Sequence, residues 1–154
     1  MHGESAQNFV DYWFNTANKA TDRTWWWFQL DMHGGKNSAI ARVSNDETAY
    51  PHRDKLYILQ LYDRVFKGAY PPDGTALLNG WVDAIKSPLA PEDWGMYINY
   101  ADTSLDRETA QRVYYGSNLP KLQQLKAKYD LTELFYYPQS IQPCPLEGTS
   151  VAKS

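Results

Sequence analysis

The chain has 154 residues, 15 Lys and Arg against 18 Asp and Glu for a net charge of −3, and a 15% aromatic share that includes 6 Trp and 12 Tyr. That length supports one domain with a sizeable core, and interspersed charges without a basic stripe argue against a nucleic acid or an anionic membrane as partner. Cys144 is the single cysteine, so neither an intrachain disulfide nor a thiolate metal site is expected, and the sequence shows no apolar leader and no membrane span.

Ser5 is placed to cap a first helix, with Phe9, Val10, Trp13, Phe14 and Ala17 on one face, ending near residues 18–22. Residues 24–31 then switch to a period of two: Trp25, Trp27, Gln29 and Asp31 on one side, Trp26, Phe28 and Leu30 on the other. Gly34-Gly35 reads as a turn, "SAIARV" as a short strand, and "NDETAYPHRD" as loop. "KLYILQLYDRVF" (55–66) is the longest strand candidate. Asp73 or Thr75 opens a second helix with Leu77, Leu78, Trp81, Val82 and Ile85 as its stripe, closed by Pro88. "WGMYINYAD" (94–102) reads as a further strand, with Met96, Ile98 and Tyr100 opposite Tyr97 and Asn99. Asp106 caps a third helix that stops at Gly116. Asn118 caps a fourth with Pro120 in its first turn and Leu119, Leu122, Leu125 and Tyr129 inward.

This order predicts an α+β fold: an antiparallel sheet of three to four strands covered by helices on one face. Residues 1–142 form one domain and 143–154 a disordered tail. So few strands make a poor independent sheet, and a partner chain or a second copy is expected to complete it.

No GxSxG, HExxH, phosphate-binding loop or paired cysteine occurs, and His33 and His52, in different loops, supply at most half of a zinc site, so no metal is expected. Polar residues inside apolar strands stand out instead. Gln29 and Asp31 share a face with Trp27, and Gln60 interrupts "YILQLY". Leaving such a group buried and unpaired costs about 1–3 kcal/mol, so each is either satisfied by neighbours within the fold or turned toward a cleft. Rings beside amides and carboxylates suit a polyol, whose C–H faces stack and whose hydroxyls hydrogen-bond. Tyr100 and Asp31 together are candidates for an acid–base pair. A phenol with a pKa of about 10 needs such help to act as a base near neutrality.

"WWWFQLDMHGGKNS", "TAYPHRDKLYILQLYDRV", "MYINYAD" and "YYGSNLPKLQQLKAKYDLTELFYYPQSI" resemble the C-terminal part of the berberine-bridge-enzyme-like FAD-linked oxidases and, within them, the fungal gluco-oligosaccharide oxidases. The resemblance runs over residues 5–142. It implies a sheet laid over the flavin, with Tyr100 as the base that deprotonates the C1 hydroxyl of a sugar and Asp31 as the carboxylate that activates it. It further implies Trp27, Gln29 and Gln60 as sugar-binding residues and Asn99 beside the isoalloxazine of FAD. Leu131 replaces a proline usual after "YD". The family's N-terminal FAD-binding half is not matched by these residues, so the resemblance implies a flavin-binding domain on another chain, or self-association, as partner. The expected function is the substrate side of an FAD-dependent oxidase of a carbohydrate or other alcohol. The alternatives are a flavin-free homodimer that binds, cyclises or isomerises a small molecule, and a truncated product without activity.

Overall fold

The computed structural model describes residues 3–20, 25–72 and 74–144. Thr24, residues 21–22, Asp73 and the expected tail from residue 145 onward therefore lie outside the described residues. The chain divides into two compact units, one of Met1–Ala41 with Asp54–Trp94 and one of Arg42–Arg53 with Gly95–Ser154.

The first unit holds α1 (Gly3–Asn15), β1 (Trp25–Met32), β2 (Tyr57–Arg64) and α2 (Gly74–Lys86). β1 and β2 pair antiparallel with Gln29 opposite Gln60, Trp27 opposite Tyr62, Phe28 opposite Leu61 and Asp31 opposite Ile58. Directly opposed residues point to the same side. One side therefore carries Trp26, Phe28, Leu59 and Leu61, and these pack on Phe9 of α1 and Leu77 and Trp81 of α2. Trp81 is fully buried. Its ring stacks on Phe9 at 5.2 Å and meets Trp26 and Phe28 edge-on at 5.5 and 5.7 Å, while its indole N–H donates to the Phe9 carbonyl at 3.2 Å. Offset and edge-to-face contacts are what aromatic quadrupoles favour, so the core holds by ring geometry as well as by area removed from water. The two helices approach closely where α2 carries Gly80. A Cβ there would collide with the Tyr12 phenol, which donates to the Leu77 carbonyl at 3.0 Å.

In the first helix, Phe9 is buried whereas Val10 and Phe14 are exposed. The inward stripe is thus narrower than expected: Ser5 and Phe9, at i and i+4, are the buried residues of the helix, and Ala17 is buried in a 3-10 turn after it.

The second unit holds α3 (Arg107–Tyr115) and α4 (Leu119–Tyr129) among irregular segments. Asp106 caps α3 as expected, its carboxylate accepting the Thr109 N–H at 2.9 Å, and Gly116 ends it with φ of 46°. Asn118 does not cap α4. Its amide instead donates to the carbonyls of Asn45 and Thr48 at 2.6 and 2.9 Å, tying the 45–48 loop to the helix junction. Of the expected inward stripe, Leu125 and Tyr129 are exposed and Ala127 is the buried residue of α4.

The fold is α+β, with a two-stranded rather than a three- to four-stranded sheet among the described residues. Two expected strands do not form, each for a local reason. In "SAIARV" the Ser38 hydroxyl donates to the His33 carbonyl at 2.9 Å and accepts the Ile40 N–H at 3.1 Å, and Ile40–Arg42 closes into a 3-10 turn. Such side-chain bonds offer the backbone an alternative to a ladder. In residues 94–102 the Met96 N–H donates to the Val113 carbonyl near the end of α3 at 3.1 Å, and Ile98–Tyr100 forms a 3-10 turn. A helix end leaves carbonyls without intrahelical partners, and here one of them takes the donor a strand would have used.

Candidate functional site

The helices of the first unit cover one side of the β1–β2 pair, and the other side carries Trp25 and Arg64, Trp27 and Tyr62, Gln29 and Gln60, and Asp31 and Ile58 in successive opposed pairs. Trp27, Gln29 and Asp31 share one face, as the period-two pattern of residues 24–31 implies, and the register adds Gln60 to it. Gln29 is exposed, and its side-chain amide donates to Asp31 Oδ2 at 2.8 Å. Gln60 lies directly across the ladder from it. Trp27 stacks on Tyr62 at 5.7 Å, and Trp25 meets Tyr62 edge-on at 6.1 Å. Ring faces, two carboxamides and one oriented carboxylate therefore follow one another along two strands.

Sequence reasoning missed Tyr62. The connection between the strands runs from residue 33 to residue 56, so no tight turn sets the register, and pairing Trp27 with a particular residue of β2 needs that register.

Tyr100 and Asn99 lie in the second unit, on the Ile98–Tyr100 turn instead of the expected strand. The Tyr100 N–H donates to the Tyr97 carbonyl at 2.8 Å, and the Tyr97 and Tyr100 rings meet edge-on at 5.2 Å. Tyr97 is also contacted edge-on by Tyr50 at 5.7 Å, and its hydroxyl accepts from the exposed Asn99 amide at 2.7 Å. The turn thus gathers three phenols and a carboxamide. Tyr50 and Tyr97 lie in stretches that carry the family resemblance, but sequence reasoning gave neither of them a site role. The donor set of Tyr97, Asn99 and Tyr100 is neutral and hydrogen-bonding, which suits the polar edge of an isoalloxazine ring. It does not suit a pyrophosphate, and no Gly-x-Gly-x-x-Gly run occurs in the sequence. Among the described residues no group of three His, Cys, Asp or Glu could hold a metal ion.

Elsewhere in the second unit, polar side chains replace a ring core. Tyr114 is buried, its hydroxyl accepting the Asp102 N–H at 2.9 Å and donating to Gln139 Oε1 at 3.3 Å. Burial holds the Tyr114 phenol above its ordinary pKa, and burial together with the neighbouring Tyr137 pushes Tyr115 up to about 12. Arg107 donates to the Ser140 carbonyl at 2.7 Å and pairs with Glu133, and Gln111 donates to the same carbonyl at 2.9 Å.

A family model described as berberine and berberine like matches residues 96–142. A carbohydrate oxidase of Microdochium nivale is 54% identical over 144 residues, covering 93% of this chain and 29% of that protein. A crystal structure of carbohydrate oxidase from the same organism, in complex with a substrate analogue, superposes with a TM-score of 0.88 at 53% identity, over 93% of this chain and 30% of that one. A structure of glucooligosaccharide oxidase from Acremonium strictum, described for its 6-S-cysteinyl, 8α-N1-histidyl FAD, gives a TM-score of 0.84 at 46% identity, over 91% of this chain and 30% of that one. The chain spans about 30% of the length of the relatives it matches.

Proposed function

From a chain that belongs to the berberine-bridge-enzyme-like FAD-linked oxidases as a C-terminal portion of them, close to the fungal carbohydrate and gluco-oligosaccharide oxidases, we propose that these residues supply the sugar-binding and proton-accepting side of an oligosaccharide oxidase. The observation that carries this reading is the side of β1–β2 opposite the first unit's helices, where an indole, two carboxamides and a carboxylate occupy successive places. Trp27 and Tyr62 stack on the C–H faces of the sugar rings. Gln29 and Gln60 hydrogen-bond hydroxyls, and the Gln29 amide holds Asp31 in one orientation. Tyr100 takes the proton of the C1 hydroxyl, and Asp31, held by Gln29, is the carboxylate of the sugar-binding face. Asn99 would hold the polar edge of the flavin ring. FAD, when bound, supplies the acceptor for the electron pair and hydrogen that leave C1, so that the alcohol carbon is oxidised while its hydroxyl proton goes to Tyr100.

The test is bleaching of the flavin's visible absorbance by an oligosaccharide in the FAD-loaded oxidase that contains this chain. Gln29→Ala and Gln60→Ala are each expected to raise KM about tenfold, as loss of a hydrogen bond to a substrate hydroxyl does. If both variants keep the parent KM, the face is not the sugar site.

A further inference from the structure

Residues 95–102 carry Tyr100 without a strand neighbour, and their backbone is held at both ends from outside the segment. At the near end a Cβ on Gly95 would collide with the His52 imidazole, and the Met96 N–H is taken by the Val113 carbonyl. At the far end both backbone groups of Asp102 are held by side chains from distant positions. The Asp102 N–H donates to the Tyr114 hydroxyl at 2.9 Å, and the Asp102 carbonyl accepts from Gln139 Nε2 at 2.6 Å. The same amide donates to the Leu105 carbonyl at 3.0 Å, and its oxygen accepts from Tyr114 at 3.3 Å, closing a ring of hydrogen bonds. Tyr114 is 1% and Gln139 6% exposed, so water does not compete for these groups. A phenylalanine would fill the Tyr114 site as well, which leaves the hydroxyl to be explained by what it bonds. Burial keeps that phenol protonated and able to donate.

We propose that the Tyr114 hydroxyl and the Gln139 amide are positioning groups: by clamping Asp102 they fix the backbone two residues before it, and with it the Tyr100 phenol. This rests on the reading of Tyr100 as the proton acceptor. Neither residue touches the substrate; both act through the 100–102 backbone. Rate is sensitive to such placement, since a shift of about 1 Å in a reacting group can cost roughly a hundredfold.

The experiment has two arms. In the 154-residue chain, Tyr114→Phe is expected to speed amide exchange at the Tyr100 N–H about tenfold or more, while the Ala127 N–H in α4 changes less than about twofold. In the FAD-loaded oxidase the same variant lowers kcat about tenfold or more, leaves KM within about twofold, and displaces the pH at which kcat is half maximal. Gln139→Met, of similar size but without the amide, should reproduce both effects and serves if Tyr114→Phe does not fold. Equal acceleration at Tyr100 and Ala127, unchanged exchange at Tyr100, or an unchanged kcat in a folded variant overturns the clamp. Tyr100→Phe is run in parallel. If it retains turnover, the proton-acceptor reading falls, while the exchange arm still decides whether Tyr114 and Gln139 fix the turn.

Discussion

The two units reach a buried interior by different means. The first packs Phe9, Trp26, Phe28 and Trp81 ring against ring between two helices and one side of a strand pair. The second buries Gln111, Tyr114, Asn118, Gln139 and Ser140, and satisfies them with hydrogen bonds to backbone groups of irregular segments. An apolar interior holds helices and strands, whose backbone groups satisfy one another. An interior crossed by loops brings unpaired N–H and C=O groups with it, and buried amides and phenols are the side chains that can meet them. Binding is proposed on the side of the β1–β2 ladder opposite the first unit's helices, where the register sets the spacing of side chains. Proton transfer is proposed on a turn of the second, where geometry depends on a polar network.

The largest expected effect that sharpens this contrast is Trp81→Ala. Loss of the fully buried indole should cost about 3–5 kcal/mol in the first unit. All six tryptophans, at 13, 25, 26, 27, 81 and 94, lie in that unit, so their fluorescence in a denaturant titration follows it alone. A loss below about 1 kcal/mol would mean that the ring cluster does not carry the unit, since even an Ile→Val change in a core typically costs 0.5–1.5 kcal/mol.

Next come the polar interiors. Asn118→Leu leaves the Asn45 and Thr48 carbonyls without that donor, and Gln111→Leu takes one of two donors from the Ser140 carbonyl and the acceptor from the Gln142 N–H. Each should cost about 1–3 kcal/mol despite adding apolar surface, read as faster amide exchange in α3 and α4. A stabilising Leu at either position would show that the polar interior of the second unit is incidental.

Legibility in the sequence followed the same divide. Period-two alternation in "WWWFQLDM" and the apolar stripe of α2 encode which side faces the core, because an apolar interior rewards periodicity directly. The Asp106 cap and the Gly116 stop were equally plain, since both are local backbone chemistry. The strand expected over 94–102 failed because aromatic and β-branched residues there only suit a pleated surface, and the nearby end of α3 competed for the backbone. Asn118 misled for a related reason. A residue type good at capping is equally good at binding a remote loop, and only the tertiary structure decides which it does. Trp27, Gln29 and Asp31 share a face because strand periodicity places them there, and Gln60 joins them through the strand register; Asn99 and Tyr100 sit on a turn that no periodicity describes.

A smaller effect separates the units by pH. Among the described residues, the second unit contains three carboxylates held below their usual range: Asp106 by the Thr109 N–H at its cap, Asp130 by the Lys126 ammonium, and Asp46 by the Ser44 hydroxyl. Groups that bind protons less readily when folded add stability that is complete above the ordinary carboxylate pKa, about 4, and is lost as pH falls through their lowered folded values. Acid should therefore loosen α3 and the start of the 130–135 turn, seen by amide exchange, and Asp106→Asn should remove part of that dependence. An identical acid profile in the variant would contradict the cap's share.

The division of labour between sheet face and turn is tested most directly by single-turnover flavin reduction in the FAD-loaded oxidase, measured across a series of oligosaccharide concentrations. Gln60→Ala should weaken the apparent Kd about tenfold with the limiting rate within about twofold, whereas Tyr100→Phe should lower the limiting rate about a hundredfold with Kd preserved. A Tyr100→Phe enzyme that keeps its limiting rate, or a Gln60→Ala enzyme that loses rate with its Kd unchanged, would contradict the account.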